Sequence, residues 1–183
     1  MKRKIIKISV IVLSLVLLIF TARYCVLSIM RSGTKIPSYN TPLLKNLKSF
    51  NYMVDVAKYI YDSESKDVVV TKIAITFFAH EETIDVDVYG ESNKEIRTYY
   101  IKLTPEILKK YKSVCNVFGE WNLEFSCIVV CDGQVNFYAE EAPYALIYRE
   151  DGNSPTELVT GIAVDNFYTE RIFFNWFHSY IKD

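Results

Sequence analysis

Glycine, proline and histidine are scarce in this chain. Among 183 residues there are six glycines, five prolines and two histidines, whereas tyrosine, phenylalanine and tryptophan number 14, 11 and 2. A chain so rich in aromatic residues and so poor in glycine and proline is not a disordered stalk. It also has no GxSxG-like nucleophile turn, and no second histidine lies near either one. The sequence therefore offers neither a catalytic triad nor a histidine metal site.

Aspartate and glutamate are absent from the first 35 residues, which contain seven of the 21 lysines and arginines. Residues 1–7 are basic, and residues 8–30 are mostly apolar, with Arg23 as the only charged residue among them. A helix over these 23 residues would be long enough to cross a hydrocarbon core of about 30 Å. The candidate signal cleavage sites end on unsuitable residue types, so we predict a retained transmembrane anchor at residues 8–30.

The distribution of charge around this span predicts its orientation. Four basic side chains precede it, and only Arg31 and Lys35 follow it closely. By the positive-inside rule, residues 1–7 are then cytoplasmic and the C-terminal part is outside the cell membrane. We expect residues 31–41 to be a linker and residues 42–183 to form one extracytoplasmic domain. The alternative is a domain secreted after signal cleavage, and both interpretations export it.

The chain after residue 35 is acidic. It contains 14 basic and 22 acidic side chains, a formal charge of −8 that the whole-chain value of −1 conceals. Nucleic acid and anionic lipid headgroups are bound mainly by lysine and arginine, so we predict no nucleic-acid partner. The negative charge could serve to attract a cationic partner, or it could simply keep the domain soluble.

Hydrophobic periodicity predicts an α+β domain. Apolar residues at spacings of three and four indicate a helix with Thr41 as N-cap and Pro42 at its first position, ending near Asp62 to Lys66. A second helix has Thr104 as N-cap, Pro105 at its first position and Gly119 just past its end. Strand-like segments lie between and after the helices, including a hairpin around Asp132–Gly133 and a single last strand over "RIFFNWFHSYI". We predict a mostly antiparallel sheet of about six to seven strands packed against two helices. The order of elements resembles that of the cystatin and nuclear-transport-factor-2 folds.

Three of the four cysteines lie in the predicted exported domain, where disulfides can form. Cys127 and Cys131 are four residues apart on one predicted strand, so about 13 Å separates them and they cannot bond to each other. Cys115, on the neighbouring helix, could pair with either. The alternative is three buried thiols, which the odd count favours.

Polar residues suggest no catalytic or metal site. Asp85 and Asp87 alternate with apolar residues and so share one strand face, as carboxylates of a glycosidase or calcium site can, but the alternation of a half-buried strand explains them equally well. His80 is expected in a solvated turn, and His178 is expected at the surface or half buried. We predict no catalytic residue, no metal and no cofactor.

Aromatic residues crowd the last third of the chain. If some of them line a groove, Tyr144, Tyr148, Trp176 and Tyr180 are the candidates to bind a peptide or a glycan, because large rigid rings provide contact area at a small entropy cost. The alternative is that they belong to the core.

The function predicted from these features is binding outside the membrane. We expect a single-pass membrane protein whose extracytoplasmic domain engages a protein, peptide or glycan, and which is not an enzyme. Alternatives are an inhibitor or immunity-type protein that blocks a cationic target, an assembly component of an envelope machine, and an envelope hydrolase that uses Asp85 or Asp87.

Overall fold

A computed structural model of the chain describes residues 40–66, 68–78, 81–131, 133–140, 144–155 and 167–181. The predicted basic segment, anchor and most of the linker lie outside these residues. The two helices are α1 (Asn40–Glu64) and α2 (Pro105–Glu120). The strands are β1 (Lys72–Phe78), β2 (Thr83–Tyr89), β3 (Glu95–Lys102), β4 (Glu124–Cys131), β5 (Gln134–Glu140), β6 (Tyr144–Arg149), β7 (Phe167–Phe173) and β8 (Trp176–Ile181).

All eight strands belong to one antiparallel sheet, in the order β3-β2-β1-β4-β5-β6-β8-β7. The strands β1 to β3 form a meander, and the chain then crosses through α2 to place β4 beside β1. This crossover leaves β3 at one edge of the sheet, and β7 lies at the other. The predicted α+β class is confirmed, although the sheet has eight strands and not six to seven.

The additional strand comes from the segment "RIFFNWFHSYI", which we predicted to be a single strand. In the structure it turns at Phe174 and Asn175, so that β7 and β8 pair as a hairpin. Phe174 has a backbone φ of 41°, and its carbonyl accepts a hydrogen bond from the Arg171 side chain. Neither glycine nor proline occurs at this turn, which is why the local sequence did not reveal it.

The start of α2 agrees with its predicted capping residues. Thr104 is the N-cap, its Oγ1 accepts a hydrogen bond from the Ile107 backbone at 3.3 Å, and Pro105 occupies the first turn. The predicted end is wrong by two residues, because the helix continues through Gly119 to Glu120. The predicted β4–β5 hairpin is confirmed: β4 ends at Cys131, β5 begins at Gln134, and Gly133 between them has a φ of 70° that suits glycine.

The main core lies between the helices and one face of the sheet. Phe50 of α1 is fully buried against Phe137 of β5 and Trp176 of β8. Phe118 of α2 is equally buried and packs against Phe125 of β4. These aromatic contacts stabilise the packing of both helices on the sheet, because each ring pair contributes free energy beyond that gained by burying the apolar area of the rings.

Candidate interaction surface

The four aromatic residues predicted to bind a ligand lie on the helix-covered face of the sheet. Tyr144 pairs with Tyr180, and Tyr148 pairs with Trp176, across β6 and β8. The structure therefore brings them together as two neighbouring cross-strand pairs.

Two of these residues are deeply buried. Trp176 is 2% exposed and Tyr144 is 5% exposed, and Tyr144 packs against Phe118 and Trp121 of the α2 region. Tyr148 and Tyr180 are half buried against the same core. Since the buried rings contribute mainly to packing, ligand binding by this set stays a prediction, with only the half-buried pair offering surface.

His178 lies between the two aromatic pairs and is 6% exposed, so the prediction of a surface or half-buried histidine is wrong. Its Nε2 is 3.5 Å from Oε2 of Glu170, which lies opposite on β7, and the Tyr180 hydroxyl donates to Oε1 of the same carboxylate at 3.2 Å. Burial lowers the pKa of His178, and the Glu170 carboxylate partly opposes that effect. The contacts among His178, Glu170 and Tyr180 connect the edge strand β7 to β8. Sequence reasoning missed them because it did not separate β7 from β8, and only their pairing places Glu170 opposite His178.

Cys115 and Cys127 are free thiols in the structure, so the possible disulfide from Cys115 to Cys127 or Cys131 is not formed. Cys115 packs on the helix side of the sheet, whereas Cys131 contacts Asn136 and Gln134 on the opposite face. Cys127 shares that opposite face, because it is four residues from Cys131 on the same strand. The sheet therefore separates Cys115 from both possible partners. Burial raises the pKa of the Cys115 and Cys127 thiols, which makes them poor nucleophiles.

Asp85 and Asp87 share one strand face as predicted, since Ile84, Val86 and Val88 between and beside them are buried toward the helices. Asp87 accepts a hydrogen bond from the Thr98 hydroxyl at 2.6 Å. The pKa of Asp85 is raised, mainly by burial and to a smaller extent by the negative charge of the Asp87 carboxylate. His80 lies outside the described residues.

The backbone of β3 presents hydrogen-bonding groups at the edge of the sheet that pair with no other strand among the described residues. Leu103, just after the strand, donates its N–H to the Glu82 carbonyl at 2.7 Å. In an antiparallel pair, residues that bond to the neighbouring strand alternate with residues whose N–H and C=O point away from it. Because Leu103 bonds to Glu82, the β2–β3 register makes Thr98, Tyr100 and Lys102 the residues whose backbone N–H and C=O point away from β2.

The side chains of β3 are unusually exposed for a strand of this length. Tyr100 is 68% exposed and Ile96 is 43% exposed, and only Tyr99 and Ile101 are half buried. The Thr98 hydroxyl contacts Oδ1 of Asp87 at 2.6 Å and Oε1 of Glu95 at 3.0 Å. The exposed ring of Tyr100 therefore lies near the carboxylates of Asp87 and Glu95 that surround Thr98.

The inner side of β3 is fixed to α1. The Tyr99 hydroxyl donates to Glu64 Oε1 at 2.9 Å, and Arg97 forms an ion pair with the same carboxylate. Burial and the hydrogen bond to Glu64 raise the pKa of Tyr99 to about 12. The edge is thus held in an extended conformation before any partner binds, which reduces the entropy lost on binding.

The opposite edge of the sheet is less accessible for pairing. The register of β7 with β8 shifts between Arg171 and Phe173, and that of β3 with β2 shifts between Glu95 and Arg97, so irregularity alone does not distinguish the two edges. The Arg171 guanidinium donates to the carbonyls of Gly152 and Phe174, so the end of β7 is occupied by contacts within the chain. Of the two edges, β3 is therefore the better surface for a partner.

A shallow depression of about 510 Å³ lies where α1 ends, with walls that include Tyr61, Ser65 and the segment Val68–Val70. It is wide open to solvent, unlike the enclosed clefts that bury most of a small ligand. Two of the valines that line it, Val68 and Val69, are exposed to solvent. The depression therefore suits contact with a protein surface better than binding of a small molecule.

No family model, curated protein or solved structure matches the chain. Within the part of the chain that the structure describes, no group of three histidine, cysteine, aspartate or glutamate side chains is placed to hold a metal ion. None of the helices in that part is long and apolar enough to cross a membrane. Residues 8–30, where we predicted the anchor, lie outside it.

Proposed function

We propose that residues 42–183 form a binding domain outside the membrane, anchored by residues 8–30, and that it is not an enzyme. The proposed binding mode is strand addition, in which an extended segment of a partner protein pairs with β3. The cystatin-like or nuclear-transport-factor-2-like shape of the sheet stays a prediction.

The observation that supports this proposal is the outward N–H and C=O groups of Thr98, Tyr100 and Lys102 on the outermost strand. Such groups are a template for another strand, and proteins that do not use them usually cover or shorten the edge. Here the edge strand has eight residues, and it carries a 68% exposed tyrosine.

The chemistry of the remaining candidates favours binding over catalysis. Burial raises the pKa of the Cys115 and Cys127 thiols, and His178 is buried against a carboxylate and tyrosine rings. Asp85 and Asp87 lie on an open sheet face, beside Thr98 and not within a cleft. The acidic surface also keeps the inhibitor or immunity-type alternative open, since a cationic target would approach faster toward it.

A pair of substitutions at Tyr100 tests the binding mode. Tyr100→Pro removes the outward N–H and places the proline ring at the edge, but it leaves the β2 ladder intact because that N–H does not bond to β2. Tyr100→Ala keeps the N–H and removes only the ring. We expect Tyr100→Pro to abolish partner binding and Tyr100→Ala to weaken it by roughly tenfold, the effect of losing about 1.4 kcal/mol.

The measurement is photo-crosslinking of the full chain in its own membrane, with the crosslinker at the exposed Ile96 and external protease used to locate the product. A crosslinker at Tyr59, which is 76% exposed on α1, is the matched control for nonspecific contacts. If Tyr100→Pro gives the same crosslinked products as the unchanged chain, strand addition at β3 is excluded.

A further inference from the structure

We propose that the strand that pairs with β3 is β3 of a second copy of this chain, so that the two sheets join into one of sixteen strands. This inference rests on the proposed function, because it names the occupant of the same edge. It follows from which β3 residues direct their N–H and C=O groups outward, and from the positions of the charged side chains on and beside β3.

Symmetry restricts how two copies of β3 can pair. A closed dimer with antiparallel edge strands has its two-fold axis perpendicular to the sheet, so the residue on the axis faces its own copy. The outward N–H and C=O groups form the new ladder, so the axis passes either through a residue that carries them or through a residue between two of them. Registers of the first kind are centred on Thr98, Tyr100 or Lys102, and registers of the second kind on Tyr99 or Ile101.

Charge selects among these registers. With Thr98 on the axis, Lys102 would face Lys94 of the second copy, and with Lys102 on the axis, two lysines would face each other. Like charges directly opposite each other destabilise a strand pair, so both registers are disfavoured. With Tyr99 or Ile101 on the axis, Lys102 would face the uncharged Ile96 or Tyr100 of the second copy and gain no opposite charge there.

With Tyr100 on the axis, Lys102 faces Thr98 of the second copy. The hydroxyl of Thr98 is within hydrogen-bonding distance of Asp87 Oδ1 and Glu95 Oε1, so two carboxylates surround the position that the lysine would approach. A lysine stem can span the roughly 5 Å between paired side chains, and symmetry provides this contact twice.

The remaining pairs of this register are also complementary. Tyr100 faces Tyr100 of the second copy, which covers the most exposed ring on β3. On the helix-covered side, Tyr99 faces Ile101 of the second copy, and both side chains are half buried already. Aromatic and β-branched residues are favourable cross-strand neighbours.

The proposed dimer is compatible with a shared membrane. A two-fold axis perpendicular to the sheet keeps both helix layers on the same side, so the chain enters both domains at Asn40 from one side of the joined sheet. An interface of about five residue pairs is small, and we expect it to be weak in solution. Anchoring both copies in one membrane would raise their effective concentration and favour pairing.

A charge exchange tests self-pairing at this register. Lys102→Glu would place a carboxylate near Asp87 and Glu95 of the second copy, and Glu95→Lys would place a cation near Lys102. Each single change should weaken association of two differently tagged full-length copies by roughly tenfold, because an attraction becomes a repulsion at two symmetric positions. The double variant restores opposite charges and should return association to within about threefold of the unchanged chain.

Matched controls use the same changes of charge away from the pair. Glu91 lies in the exposed turn between β2 and β3, and Lys112 is exposed on α2. Glu91→Lys and Lys112→Glu should leave the association unchanged. Co-purification of the two tagged copies in mild detergent, with crosslinking from Ile96 as a second readout, measures the effect.

The outcomes separate this inference from the proposed function. Loss in both single variants with recovery in the double variant supports self-pairing centred on Tyr100. Loss without recovery overturns that register. If the copies do not associate but Tyr100→Pro still removes a crosslink to another protein, self-pairing is wrong and strand addition stands. Absence of any crosslink that depends on Tyr100 overturns both.

Discussion

The two halves of the sheet differ in how many of their faces are buried. In β4, β5 and β6, consecutive residues are buried on both faces, so that Asn136 and Ile147 are as inaccessible as Phe137 and Leu146. In β1 and β2, buried residues alternate with half-buried ones, apart from the exposed Phe78 at the end of β1, and β3 has no fully buried residue. Strands β4 to β6 therefore bury residues on both faces, whereas β1 and β2 contribute one face to the same core and β3 contributes only half-buried side chains.

This difference explains why an exposed edge can persist. The centre of the sheet supplies enough burial to fix the fold, and α1 holds β3 through Glu64, so the outer strand does not need a second neighbour for its own stability. We expect substitutions near β5 to affect folding and substitutions near β3 to affect association.

The largest effect should follow from Phe137→Ala. Phe137 is fully buried and its ring contacts those of Phe50, Phe125 and Trp176, so truncation would leave a cavity that costs about 3–5 kcal/mol. Unfolding by urea, followed by tryptophan fluorescence, reports on this domain because both tryptophans, Trp121 and Trp176, belong to it. Tyr59→Ala, at an exposed position, is the control and should stay within about 0.5 kcal/mol.

A smaller loss should follow from Asn136→Ala. Asn136 is fully buried on the face away from the helices, where its Nδ2 donates to the Val129 carbonyl at 3.2 Å and its Oδ1 accepts from Gln134 at 3.3 Å. Removing the amide deletes both hydrogen bonds at a fully buried position and should cost about 1–3 kcal/mol. Thr98→Val, which removes exposed hydrogen bonds on β3, should cost less than about 1 kcal/mol. Equal losses in the two variants would contradict the contrast between the halves.

The smallest effect is expected for Asp85→Asn, with a gain in stability. One oxygen of Asp85, Oδ1, is buried and makes no hydrogen bond within the described residues, and burial together with Asp87 raises the pKa of this carboxyl. Because the folded state then binds the proton more tightly than the unfolded state, the wild-type chain gains stability as pH falls through the raised pKa. Asp85→Asn should therefore be more stable by a few tenths of a kcal/mol at neutral pH, and this advantage should disappear at acidic pH.

Urea unfolding of both chains at several pH values measures this difference. Asp87→Asn is the comparison, since the Asp87 carboxylate accepts a hydrogen bond from Thr98 and should not show the gain. A constant advantage of Asp85→Asn at all pH values would show that its charge is not the cause.

Local signals predicted several elements correctly. The cap at Thr104, the alternation of Ile84, Val86 and Val88, and the turn at Gly133 each depend on neighbouring residues only. The turn at Phe174 carried no glycine or proline signal, so the separate strands β7 and β8 and the burial of His178 were missed. The sequence left a disulfide from Cys115 and unpaired thiols as alternatives, because no local pattern shows that α2 and Cys131 lie on different sides of the sheet.

The sequence by itself determined the types of the elements, their approximate boundaries, and which side chains of β2 face inward, because periodicity and capping act over a few residues. Only the tertiary structure decided that β4 pairs with β1 after the α2 crossover, which leaves β3 outermost. Strand neighbours are chosen by contacts between residues far apart in the chain, and no local pattern specifies them. The candidate surface exists for this reason: the same eight residues would be ordinary sheet interior if another strand lay beside them.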